Sequence, residues 1–174
     1  MSSGISSWLL ASRRRKVGES VRGTVLDVGF GTGISREFYP AGVRVVGIDA
    51  SRGMLEVARR SRADADLLVM DAERLAFADQ SFDSVAFNLC LCTIPDPERA
   101  VPGAPMVFLE HVRSHLLPVA LVQEALNPIL VAWQADHFNR RTVDVVRRAG
   151  VEVVSVERWL LGVFNLIVGR APAG

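Results

Sequence analysis

Lysine is almost missing from this chain, with Lys16 the single one among 20 basic residues. The rest are arginine, a compositional bias that carries no function by itself. A dominant sign of charge is missing too. The formal net charge is +1, which argues against a general nucleic-acid binder. Cysteine is confined to Cys90 and Cys92, and a C-x-C spacing fits neither a zinc site nor a C-x-x-C redox motif. No metal site is expected, and the two thiols read as the reduced cysteines of a cytoplasmic protein. No window supplies the ~18 apolar residues of a membrane-spanning helix, and residues 2–10 are too short and too polar for a secretory leader. Two phosphate-binding signatures fail as well. Counting from Gly29, the sixth position of G-x-G-x-x-G is Ile34, and counting from Gly31 it is Arg36. There is no G-x-x-x-x-G-K. A pyrophosphate cradled on a helix N-terminus is therefore not the expected ligand.

What is present is apolar and punctuated. Hydrophobic residues make up 49% of the 174, with a mean hydropathy of +0.25. That composition predicts one domain over 1–174 whose sheet is covered on both faces. Residues 1–22 form an N-terminal extension, helical over 8–20, and its cluster Arg13-Arg14-Arg15-Lys16 reads as a solvated helix face. Strands are predicted at 24–28, 43–49, 67–70, 82–88 and 106–110. Helices are predicted at 33–39 (stopped by Pro40), at 54–61 behind Ser51 as N-cap, at 118–133 with Pro128 kinking or splitting it, and at 142–149 before Gly150. Two closing strands at 151–156 and 163–168 are near enough to pair antiparallel. Strand–helix alternation implies an α/β, Rossmann-like, doubly wound sheet of seven strands, mostly parallel, with an antiparallel strand at the C-terminal end.

The chain is organised around residues 25–34, where a strand runs into glycine at every second position: Gly29, Gly31 and Gly33. Glycine there permits a sharp strand-to-helix reversal and a close backbone approach to a ligand. The next two strands lead to acids, Asp49 and Asp71, at the sheet edge where α/β proteins hold ligands. Asp27, just before the loop, would repel phosphate and suit a cationic group.

These residues, in this order, resemble the class I S-adenosylmethionine-dependent methyltransferases. The motifs are 25–34, 45–51, Asp71-Ala72, and 81–88 with Ile94-Pro95-Asp96-Pro97, and the resemblance runs over about 23–170. Within the class, 38–40 and 108–112 are most similar to the ubiquinone/menaquinone-biosynthesis type and to the neighbouring thiol and phospholipid methyltransferases. The resemblance implies S-adenosyl-L-methionine as cofactor and a small, apolar acceptor. Gly29, Phe30, Gly31 and Gly33 would line its methionine part, with Asp27 near the ammonium. Asp49 and Ala50 would take the ribose, and Asp71 and Ala72 the adenine with Met54 on the ring. Asn88 would lie beside them.

Methyl transfer asks mainly for alignment, so a base is needed only for an acceptor protonated at neutral pH. Candidates are Asp96 and His111, with Glu110 and the remoter His137 behind them. The chain departs from the family between Pro97 and Met106, where about three helical turns are missing. That gap predicts poorly covered fourth and fifth strands, and with them either a homodimer or an N-terminal helix folded across the vacancy. The apolar segment 116–133 would roof an acceptor pocket or belong to the core. A non-catalytic binding module is the competing expectation.

Overall fold

The computed structural model describes residues 4–100, 104–134, 137 and 139–171. Seven strands form one sheet: β1 (Thr24–Val28), β2 (Arg44–Asp49), β3 (Asp66–Val69), β4 (Ser84–Asn88), β5 (Met106–His111), β6 (Glu152–Trp159) and β7 (Phe164–Arg170). Their order is β3-β2-β1-β4-β5-β7-β6, with β1 to β5 mutually parallel and β7 antiparallel to both neighbours. Among the described residues the α-helices are α1 (Gly4–Ser20), α2 (Arg52–Arg60), α3 (Leu117–Gln134) and α4 (Thr142–Arg148). Among the described residues no helix is long and apolar enough to cross a membrane.

Alternation along the central strands divides the core into two layers. Val85 and Phe87 of β4 and Met106 and Phe108 of β5 face one layer, which contains Val145 and Val146 of α4. Ala86, Val107 and Leu109 face the other, with Val17 of α1 and Leu55 and Ala58 of α2. β1 divides in the same way, Leu26 and Val28 against Val25.

Three local expectations change. The helix after the glycine loop is only a 3-10 turn, Ile34–Phe38. Gly33 enters it in the left-handed region at φ 83° and Pro40 follows Tyr39, which leaves room for little more than one turn. Pro128 does not split α3, which runs through it. The basic cluster is solvated only in part: Arg15 is exposed, Arg13 and Lys16 pair with Glu157 of β6 at the surface, and Arg14 turns inward. Arg13 also lies 4.7 Å over the Trp159 ring.

The short crossover does not bare the sheet. β4 and β5 are buried, and Phe87 and Phe108 stack at 4.7 Å. The covering comes from the crossover itself, through Leu91 and Ala104, and from Phe77 and Phe82 of the segment before β4. Two long-range clamps replace the helix. Glu110 Oε1 accepts from the backbone N–H groups of Cys90 and Leu91 at 3.0 and 3.1 Å. Arg140 Nη1 donates to the carbonyls of Leu91 and Ile94 at 2.6 and 2.7 Å. The N-terminal helix packs on the opposite layer, where a Cβ on Gly18 would meet the Phe38 carbonyl at 1.9 Å. It therefore does not fill the vacancy. Among the described residues, β4 and β5 present no exposed strand surface of the kind that motivated a homodimer, and the side chains of Trp8 and Leu9 lie outside the described ones.

Candidate functional site

A cleft of about 510 Å³ opens along the carboxyl ends of β1, β2 and β4 and beside the segment after β3. Its volume falls in the range of small-molecule sites, ~300–1,000 Å³. Each wall follows from local chain chemistry. At β1, Gly29 and Gly31 take φ values of 68° and 59°, in the left-handed region that glycine enters without strain. They are not equivalent. A Cβ on Gly29 would lie 2.3 Å from Cys90 Cβ, whereas one on Gly31 would find nothing nearer than 3.9 Å. Gly29 is therefore required by packing, and Gly31 leaves open space on the cleft wall. Phe30 turns its ring into the core over Gly47, so only its backbone side serves the cleft.

Asp49 closes β2 and holds the loop. Its Oδ2 accepts from Gly31 N at 2.9 Å and its Oδ1 from Ser51 N at 2.8 Å. Each oxygen keeps a second lone pair for a ligand hydroxyl. Ser51 caps α2 by accepting from Met54 N, which sets the half-exposed Met54 on the cleft wall. Past β3, Asp71 Oδ1 accepts from Glu73 N at 2.9 Å, and Ala72 lies beside it. Ala50 and Asn88 complete the expected set that lines the cleft.

Other expected residues lie elsewhere. Asp27 is fully buried behind the glycine loop, on the α1 side of the sheet. Its Oδ2 accepts from Tyr39 Oη at 2.7 Å and its Oδ1 from Asn88 Nδ2 at 3.4 Å. Burial pushes its carboxyl up to about 7, assisted by the charge of Asp49 and opposed by the hydrogen bonds from Tyr39 and Asn88. It forms no part of the cleft wall. Gly33 packs against the Phe30 ring and Ala63, also off the cleft. Asp96 is exposed, with its backbone N–H bonded to Glu73, and His111 is buried at the end of β5 edge-on to Phe164. Neither lines the cleft, nor does Glu110 or His137. Cys90 does line it, as a buried thiol donating to the Val28 carbonyl, and burial holds it firmly protonated. Among the described lining residues the ionisable side chains are Arg14, Asp49, Asp71 and Cys90.

Arg14 is the lining residue that a reading of 13–16 as one solvated cluster misses. The available signal was helical spacing: Leu10, four residues before, and Val17, three residues on, are both buried, so Arg14 shares their face. Among its described side chains, the apolar segment 116–133 contributes none to the cleft wall and only Ala120 and Gln123 to the interior. Leu117, Leu121, Val122, Leu126 and Ile129 are exposed. The Trp133 side chain lies outside those described.

The chain is similar to known methyltransferases. A family model described as a methyltransferase domain matches residues 26–104. A phosphatidylethanolamine N-methyltransferase of Cereibacter sphaeroides is 34% identical over 153 residues, 76% of this chain and 75% of that one. A demethylmenaquinone methyltransferase of Renibacterium salmoninarum is 43% identical over 95 residues. That match takes in 49% of this chain and only 40% of the relative, so the chain spans less than half of that protein's length. In fold, it is similar to an S-adenosylmethionine-dependent methyltransferase of Thermotoga maritima, with a TM-score of 0.66 and 24% identity over 95% of this chain and 93% of the other.

Proposed function

Because the chain belongs to the class I S-adenosylmethionine-dependent methyltransferases, we propose that it moves a methyl group from S-adenosyl-L-methionine to a small apolar acceptor. The observation that carries this reading is the cleft wall. Gly31 leaves open the space a side chain would fill, beside a carboxylate whose two oxygens are fixed by backbone N–H groups. Those residues fit the cofactor: Asp49 toward the ribose hydroxyls, Asp71 and Ala72 toward adenine, and the loop from Gly29 to Gly31 toward the methionine part. When bound, the cofactor supplies a methyl group on a sulfonium, a good leaving group. On transfer, the acceptor–carbon bond would form as the sulfur–carbon bond breaks, releasing S-adenosylhomocysteine from the wall held by Asp49, Asp71 and the glycine loop. The protein's part is to hold the two reactants in line and dry, which is worth up to ~7–11 kcal/mol.

The ionisable groups of the cleft narrow the acceptor. Asp49 and Asp71 are engaged in holding the cofactor, and Cys90 stays protonated, so among the described residues the wall offers no side chain placed as a general base. An acceptor that arrives already nucleophilic fits best: a thiolate, an acidic phenol or quinol, or an unprotonated amine. Apolar character is supported by the exposed leucines at the same sheet edge. Leu160 and Leu161 form the β6–β7 turn in the left-handed region, at φ 48° and 58°. The Leu161 carbonyl accepts from Ser114 Oγ just before α3. Two strained, solvent-facing leucines beside an exposed apolar helix suit a surface that meets a lipid-like molecule. The relatives described as acting on demethylmenaquinone and phosphatidylethanolamine support the same class. The test is release of S-adenosylhomocysteine with a naphthoquinol, an aryl thiol or phosphatidylethanolamine vesicles. Turnover on any of these above the background without acceptor is expected. Cofactor binding with no turnover on any of them would favour a binding module instead.

A further inference from the structure

A second recess lies on the same sheet edge, beyond β5, and shares no lining residue with the first cleft. It holds about 200 Å³ where the loop after β5, the start of α4 and the β6–β7 turn meet. Its charge is one-sided: Arg113, His115, Arg141 and Arg158 line it against a single acid, Asp144. Arg113 is matched, since its Nε donates to Glu124 Oε1 at 2.8 Å. Arg141 and Arg158 are exposed and form no ion pair among the described residues. The floor supplies a polar group of the opposite kind. Asn165 of β7 stands opposite Arg158 of β6 in the strand register, so the two share a face of the sheet. Asn165 is 3% exposed, and its Oδ1 is buried with no donor. Such an acceptor destabilises the fold unless a ligand completes it.

The rim is apolar and fixed in place. Leu160 and Leu161 are exposed in the left-handed region, and Ser114 Oγ donates to the Leu161 carbonyl. The His115 ring occupies the space of a Cβ on Gly162, which would lie 2.3 Å from its Nδ1, so the turn and the loop after β5 lock together. Leu116 and Leu117, also exposed, carry the apolar rim on to α3. Unpaired arginines beneath exposed leucines match an anionic head joined to apolar chains, and the free acceptor of Asn165 asks that head for a donor beside its anion. We propose that the recess seats the headgroup of a glycerophospholipid, with its phosphate on Arg141 and Arg158 and a headgroup hydroxyl or ammonium donating to Asn165 Oδ1. This rests on the reading of this edge as the lipid-facing one. It requires neither the cofactor nor turnover.

Vesicle flotation tests it, with phosphatidylglycerol in phosphatidylcholine compared with phosphatidylcholine alone, whose headgroup has no N–H or O–H. The wild-type chain should partition onto the first at least about tenfold more than onto the second. Arg141→Gln/Arg158→Gln should lower that partition about 10- to 30-fold, at roughly fivefold per arginine. Arg22→Gln/Arg170→Gln removes the same charge from exposed residues at the opposite sheet edge and should change it less than about threefold. Equal losses in the two double variants would reduce the effect to general electrostatics and overturn the inference. Leu160→Asn/Leu161→Asn should lower partition about tenfold and keep the fold, because asparagine enters the left-handed region more readily than leucine. Unchanged partition in that variant would overturn the lipid assignment. So would calorimetric binding of glycerol 3-phosphate by a chain that stays off both vesicles. A wild-type chain that stays off both vesicles yet turns over a soluble aryl thiol would overturn this inference and leave the methyl-transfer reading standing.

Discussion

Asp27 lies one residue before the end of β1 and has no exposed atom, yet its sequence position suggests a ligand contact. Period-2 geometry decides otherwise, since it turns the carboxyl onto the Tyr39 side of the sheet. The consequence is a pH dependence whose sign can be worked out. The folded carboxyl titrates at about 7, against an ordinary value of 3.8. Between these the folded chain keeps a proton that the unfolded chain releases, so stability falls as pH rises from about 4 to about 7. The slope for one proton is about 1.4 kcal/mol per pH unit, flattening above the folded value. Asp27→Asn should remove this slope. Urea midpoints of both proteins at pH 5 and pH 8 measure it, and parallel shifts in the two would contradict the assignment. Asp49 and Asp71, by contrast, were legible as cleft residues because one ends a strand and the other lies just past one. Arg14 was not legible in its cluster, since four adjacent charges look alike until the helix face they belong to is known.

At the scale of elements, the strands were the most legible part, because apolar runs ending in glycine or acid define them. The crossover after β4 was the least. Its shortness is visible in the sequence, but the groups that hold it are Glu110 and Arg140, which lie 19 to 20 residues from the N–H groups and 46 to 49 from the carbonyls they bind. Local periodicity carries no trace of such pairs. They predict that the crossover is fixed electrostatically and not by helix packing. Glu110→Ala should cost about 3–5 kcal/mol, because two buried N–H groups lose their shared acceptor. Arg140→Met should cost somewhat less, and both should raise hydrogen exchange at Cys90 and Leu91. Stabilities within about 0.5 kcal/mol of wild type would mean that the apolar contacts of Leu91 and Ala104 alone secure the segment.

For the whole molecule, the mostly parallel sheet and its antiparallel closure follow from strand–helix alternation and a late hairpin-like pair, and both were expected. What the sequence could not convey is which side of the sheet each helix takes. That choice places α1 over the glycine turn, leaves the short crossover to cover its own strands, and leaves α3 with a solvent-facing row of aliphatic side chains. Replacing Leu121 and Ile129 by glutamate should leave stability within about 0.5 kcal/mol, since both are exposed. If this edge presents the acceptor, the same variant should raise the acceptor's KM and spare cofactor affinity, as steady-state kinetics with phosphatidylethanolamine vesicles would show. Equal turnover would detach α3 from acceptor delivery.

The central claim is that the cleft at the strand ends is the cofactor site, with Asp49 as its fixed acceptor. Calorimetric titration of S-adenosylmethionine into the wild-type chain and Asp49→Ala tests it most directly. The account predicts one site per chain, with affinity lower by about 1.5–3 kcal/mol in the variant, the loss of a charged acceptor for ribose hydroxyls. Equal affinity in the two proteins, with the variant still folded, would contradict it.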